Sequence, residues 1–159
     1  MLFVGAGFYF FNLACVPGHK SFINNSTYVK KIRSALYSKK CGIKSKKKQK
    51  WYMTSATDNY RLDANYIPDQ RSNKTVIILH GYMNNKDKMG AYATLFHRLG
   101  YNVLMPDARA QGQSQGKYIG YGWPERCDVK KWTNKLLTKE GKKNKKLCFS
   151  ESVWVLLQQ

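Results

Sequence analysis

Apolar residues run from Leu2 to Val16, broken only by glycines and Asn12. The run falls short of the ~20 residues that a membrane-spanning helix needs, and it lacks the basic lead of a signal peptide. Residues 1–16 therefore read as an apolar anchor or signal-like segment, the latter part of a membrane anchor whose beginning is missing. A buried helix or an edge strand is the alternative. Pro17 and Gly18 end the run, and residues 17–50 form a polar, basic linker. At Trp51 the pattern changes. "WYMTSAT" and "YRLDANYIP" alternate apolar and polar positions around Asp58–Asn59, as two strands of a hairpin do. Pro68 ends the second of them. Thr75–Leu79, "TVIIL", is continuously apolar, which predicts a strand buried on both faces. Met89, Tyr92, Phe96 and Leu99 then recur at helical spacing, with Gly100 placed to cap the end. "YNVLMPD", Tyr101–Asp107, predicts a second buried strand that stops at Pro106. A Gly- and Gln-rich loop follows from Ala108 to Gly122. Pro124 opens a helix in which Val129, Trp132 and Leu136 share a face.

Hairpin, strand, helix, strand, helix is the order of an α/β fold with a mostly parallel sheet and crossover helices. A third parallel strand is due near Leu147. The 159 residues suffice for one domain with a real core and are too few for two.

Composition adds one strong feature. The chain has 28 Lys and Arg against 9 Asp and Glu, a net charge of +19. Such a charge attracts anionic surfaces, whether lipid, nucleic acid or another polyanion, and says little about fold. Lys39, Lys40, Lys44, Lys46, Lys47, Lys48 and Lys50 concentrate it in the linker, where an anionic membrane or polyanion contact is the expected use. Specific nucleic-acid binding is not expected, because the aromatic residues fall in strand-like alternation rather than as stacking platforms. Cys15, Cys41, Cys127 and Cys148 form no CxxC pair, and His19, His80 and His97 show no ligand spacing with them. No metal, cofactor or disulfide framework is expected.

In an open α/β sheet, ligands bind beyond the C-terminal ends of the strands. Two loops lie there. "HGYMNN", His80–Asn85, follows the first buried strand. Gly81 allows a sharp turn and a close backbone approach, and the Tyr82 NH is a candidate donor to developing negative charge. Its structural alternative is a plain strand-to-helix loop with Asn84 or Asn85 as a cap. "PDARAQGQSQG", Pro106–Gly116, follows the second strand. There Asp107, Arg109, Gly112 and Ser114 read as a structural loop rather than a catalytic one.

Together, "VIILHGYMNN" and "LGYNVLMPDARAQGQSQG" resemble the α/β-hydrolase fold family, in particular bacterial serine hydrolases of the esterase, acyltransferase-like or serine-aminopeptidase-like branches. "YIGYGWPERCDVKKW", Tyr118–Trp132, is similar to membrane-anchored members from Gram-positive bacteria. The resemblance implies a cell-envelope, membrane-associated protein. It implies hydrolysis of ester, thioester or amide bonds by a serine nucleophile after the next strand, with an acid, a histidine and an oxyanion hole. It covers about residues 51–140, so residues 51–146 are expected to be the N-terminal part of such a domain. Of the catalytic parts only the oxyanion loop maps onto this chain, at Tyr82 with Gly81 and His80. No triad residue is assigned, and the chain as written is expected to be inactive. Ser114 matches the family's structural "RGxGxS" loop, in which Ala110 replaces the usual glycine and Gln111 the frequent histidine. The alternatives are a basic polyanion-binding protein and a non-catalytic protein of the same fold.

The last segment, "LCFSESVWVLLQQ", holds no GxSxG motif where the nucleophile elbow is due. Triplets taken from the third base of each codon permit three apolar residues followed by G-[V/I]-S-[M/L/V]-G. The last glycine is forced by the Trp154 and Val155 codons. The adenine-rich codons of "KKNKK" just upstream favour slippage. Residues 147–159 are therefore expected to be an out-of-frame tail.

Overall fold

The computed structural model describes residues 2–18, 48–140 and 146–151. The linker lysines Lys39, Lys40, Lys44, Lys46 and Lys47, and the tail from residue 152, lie outside the described residues. Helix α1 is Leu2–Cys15. Strands β1 (Gln49–Thr54) and β2 (Arg61–Ile67) form the antiparallel hairpin. β3 (Lys74–Leu79), a 3-10 turn at Lys86–Met89, helix α2 (Gly90–Arg98), β4 (Asn102–Pro106), helix α3 (Glu125–Glu140) and β5 (Lys146–Glu151) follow. The five strands pair in the order β1-β2-β4-β3-β5, with β2 antiparallel to β4 and with β4, β3 and β5 parallel. Thus the expected hairpin followed by parallel strands with crossover helices, preceded by a short apolar helix, is what the chain forms. The strand due near Leu147 is β5.

Residue alternation divides the sheet into two cores. Val76, Ile78, Val103, Met105 and Ile67 face the 3-10 turn and α2, which contribute Met89 and Ala93. Ile77, Leu104, Leu62, Ala64 and Tyr66 face the other way, against Trp132 and Leu136 of α3 and Trp51 and Met53 of β1. The strands β3 and β4 are apolar at consecutive positions because both of their faces are covered. Trp132 and Leu136 are almost wholly buried, and each side chain contributes on the order of 2–3 kcal/mol of burial free energy.

Two local expectations change. The connection after β1 runs from Ser55 to Tyr60, longer than a two-residue turn, with Asn59 at φ +55°. The Ser55 hydroxyl accepts the amides of Asp58 and Tyr60 and closes it. In α2 the buried residues are Ala93, Thr94 and His97, joined by Met89 of the 3-10 turn, while Tyr92 and Leu99 are exposed. The 3-10 turn sets this phase, and the small Ala93 side chain lets the helix lie close on the sheet. Gly100 does cap α2, at φ +77°. Its amide reaches the His97 carbonyl and the Tyr101 amide reaches the Phe96 carbonyl, both at 3.1 Å. The Phe96 and Tyr101 rings meet edge-on. This is a Schellman ending with its apolar contact.

Candidate functional site

From β3 the chain moves to one side to make β4, then crosses back to the other side to make β5. The C-terminal end of β3 is therefore the point where strand order reverses and neighbouring connections part, leaving a crevice. A cavity of about 200 Å³ lies there, lined by Gly81, Tyr82, Asp107, Ala108, Tyr121 and Trp132 among others.

The loop after β3 carries His80, Gly81 and Tyr82. The His80 side chain is 1% exposed. Its Nε2 accepts the Ala108 amide at 3.0 Å, so the ring proton sits on Nδ1, which donates to the Gly81 carbonyl at 2.9 Å. Burial depresses the His80 pKa. A second ring proton would face an N–H donor, so His80 holds the two loops together as a neutral imidazole. The left-handed backbone of this loop falls at Met83, φ +54°, rather than at Gly81. Tyr82 stacks on Tyr121 with ring centres 5.3 Å apart, and its hydroxyl donates to the Ala14 carbonyl of α1 at 2.5 Å. Tyr121 donates to the same carbonyl at 2.9 Å. Burial, with Tyr82 alongside, raises the Tyr121 phenol above its usual pKa. Asn85 caps the 3-10 turn by accepting the Lys88 amide at 3.2 Å.

The loop after β4 is bonded within itself. The buried Asp107 carboxylate accepts the amides of Lys86 at 2.7 Å and Gln113 at 2.9 Å. The Ser114 hydroxyl donates to the Asp107 carbonyl at 2.8 Å and accepts the Asp63 amide at 2.9 Å. Its proton is committed, as a structural role requires. Gly112 sits at φ +58°, and any Cβ there would overlap the Asp107 carboxylate. Ala110 has the same left-handed φ of +58°, which explains why a glycine suits that position. Arg109 reaches outward. Its Nε donates to Asp128 of α3 at 2.9 Å, and its Nη2 lies 2.7 Å from the same carboxylate oxygen as an ion pair. Its Nη1 bonds Asp58 at 2.6 Å and Thr57 at 3.1 Å in the hairpin turn.

Three participants escaped the sequence reading. Lys86 is 2% exposed, and its ammonium pairs with Asp63 at 2.6 Å and with Asp107. Burial works against that charge, but the two carboxylates outweigh it and hold the Lys86 pKa above its ordinary value. Asp128 orients Arg109. The end of α1, at Ala14, reaches the rim of the cleft. Asp63 was the available signal, since a carboxylate in the middle of a buried strand needs a cation beside it.

No protein-family profile matches the chain. An uncharacterized protein of Bacillus subtilis (strain 168), YqkD, is 36% identical over 80 residues, which are 50% of this chain and 26% of that protein. The Pyrococcus furiosus esterase Pf2001 superposes with a TM-score of 0.61 at 34% identity, over 67% of this chain and 42% of its own. The fold is that of the α/β hydrolases. Two more distant structures share it: an α/β serine hydrolase homologue from Coxiella burnetii, and XC6422 from Xanthomonas campestris, an α/β serine hydrolase without lid. The first has a TM-score of 0.54 at 20% identity, covering 65% of this chain and 50% of its own. For the second the values are 0.56, 17%, 66% and 50%. The chain thus spans about a quarter of YqkD and about two fifths of the Pyrococcus esterase. Loop 80–82 follows β3 directly and lines the cleft. Position 152 onward lies outside the described residues.

Proposed function

We propose that this chain is the N-terminal part of a serine hydrolase acting on ester, thioester or amide bonds. In this reading the Tyr82 amide is one oxyanion donor, shaped by His80 and Gly81, while Asp107, Arg109, Gly112 and Ser114 are scaffold. The observation that carries it is the cleft at the strand-order reversal, floored by the loop after β3. The 34% identity with the Pyrococcus esterase supports the same reading. A preorganised backbone donor in such a cleft is worth about 3–4 kcal/mol to a developing oxyanion.

The nucleophile is proposed to lie in the shifted reading frame. Both frames permit apolar residues at positions 147–149, the first part of β5, and they part from Ser150 onward. The test is to resequence the gene across codons 138–159 and beyond. Both the chain as written and the frame-restored protein are then treated with a fluorophosphonate probe. Labelling of the restored protein at the GxSxG serine, with no labelling of the chain as written, is the expected result. Codons incompatible with GxSxG overturn the frame assignment, and labelling at Ser150 or Ser152 overturns the assigned position of the nucleophile.

A further inference from the structure

Helix α1 carries no charged residue, and Asn12 is its one polar amide side chain. Phe8, Tyr9, Phe10 and Phe11 are consecutive and all exposed, at 71%, 63%, 63% and 44%. Residues 100° apart on a helix cannot all enter one protein groove, which takes a single stripe. An occupant that surrounds the helix is needed, and lipid hydrocarbon is the medium that does this. Among the described residues no helix is long and apolar enough to cross a membrane. The 14 residues of α1 reach about 21 Å at ~1.5 Å each, about two thirds of a hydrocarbon core of ~30 Å.

The other end of α1 is tied to the cleft rim. The Ala14 carbonyl takes the hydroxyls of Tyr82 and Tyr121. The Cys15 carbonyl takes the Ile119 amide at 2.9 Å. Phe11 meets Tyr118 edge-on at 5.2 Å. Tyr82, Ile119 and Tyr121 all line the cleft. On the same connection Trp123 is 75% exposed, with the Arg126 guanidinium 3.5 Å above its ring. Tryptophan and tyrosine prefer the membrane–water interface, and a net charge of +19 complements anionic headgroups.

We propose that α1 and the Tyr118–Arg126 rim form one docking surface for an anionic phospholipid bilayer. The helix enters the hydrocarbon, and its ties to Tyr82 and Tyr121 set the mouth of the cleft at the lipid surface. This orientation does not depend on the serine-hydrolase reading.

The test uses the full chain and vesicles of phosphatidylglycerol and phosphatidylcholine, with bromine on the acyl chains as a tryptophan quencher. Trp51 and Trp132 are buried, so Trp123 is the described reporter. Bound wild-type chain is expected to be quenched, and Trp123→Phe to lose most of that quenching while remaining bound. Phe8→Lys combined with Phe10→Lys should release the chain from the vesicles without altering its circular dichroism. Vesicle binding with quenching unchanged in Trp123→Phe would overturn the orientation. Binding that disappears in moderate salt and ignores the α1 substitutions would reduce the contact to charge attraction and overturn the docking surface. Neither result touches probe labelling of the restored protein, so the two proposals fail separately.

Discussion

The loops after β3 and β4 stand side by side at the same end of the sheet, yet they are held in different ways. Residues 107–116 bond largely to one another and to the strand beneath. Asp107 gathers Lys86 and Gln113, the Ser114 hydroxyl closes on the Asp107 carbonyl, and Gly112 fits against the carboxylate. Residues 80–85 depend on neighbours. His80 leans on the Ala108 amide, the Asn84 amide on the Gln111 side chain, and Tyr82 on α1. The loop after β3 therefore takes much of its shape from the loop after β4, and both line the cleft. A backbone donor can be held in place this way without carrying its own stabilising network.

Lys86 joins the two loops, so its removal tests the comparison hardest. Lys86→Met leaves Asp63 and Asp107 buried without their cation. The expected loss is about 3–5 kcal/mol at neutral pH. In the wild-type chain the raised Lys86 pKa makes its contribution complete below the ordinary lysine value of ~10.4. That contribution is lost only as pH rises through the raised value. Urea unfolding at neutral pH and at increasingly alkaline pH reads both effects, and a deficit well under about 3 kcal/mol at neutral pH would show that the buried carboxylates do not depend on this cation.

His80 offers a finer test. Its folded-state pKa is depressed by burial, so the unfolded chain takes up a proton that the native state refuses. Stability should therefore fall as pH drops below ~6.5. His80→Gln is expected to cost about 1 kcal/mol at pH 7.5, the net worth of one hydrogen bond. The gap should narrow in acid, because the variant lacks the imidazole. Parallel stability curves for the two proteins would mean that His80 does not titrate on unfolding.

The smallest effect belongs to the self-bonded loop. Ala110→Gly removes a left-handed alanine that costs ~1–2 kcal/mol and adds ~0.4–1 kcal/mol of unfolded-state entropy. A net gain of about 0.5–1 kcal/mol is expected in thermal or urea unfolding, with the fold unchanged. A loss would show that the loop needs the methyl group more than it needs a relaxed φ.

The order of elements was legible because β3 and β4 are buried on both faces and their sequences are apolar without interruption. The Pro124 helix was legible from Trp132 and Leu136 for a similar reason. The face of α2 was not, because a 3-10 turn at Lys86–Met89 changes the phase and periodicity alone does not register that change. Asp107 and Arg109 could be assigned a structural role from their place after the strand, and Ser114 from the resemblance of its loop to the family's. Lys86 could not, since a lysine between Asn85 and Asp87 resembles any solvated surface residue until Asp63 is brought beside it from the hairpin. The junction of Ala14 with Tyr82 and Tyr121 joins positions far apart in sequence, and no local pattern encodes it.

The place of β3 in the strand order bears on how the chain comes off the ribosome. The hairpin pairs neighbours such as Met53 and Leu62, a contact available almost at once. β3 waits longer. One of its edges is filled by β4, but the other is filled only by β5, where Lys74 meets Lys146. At ~5–20 residues per second, that partner emerges on the order of several seconds after Leu79. During that interval a strand of four consecutive buried residues has one unpaired edge. Contacts of such high sequence separation also slow folding in free solution. The stretch Thr75–Leu79 is therefore where a nascent chain of this protein should recruit a holding chaperone, and release should follow the synthesis of β5.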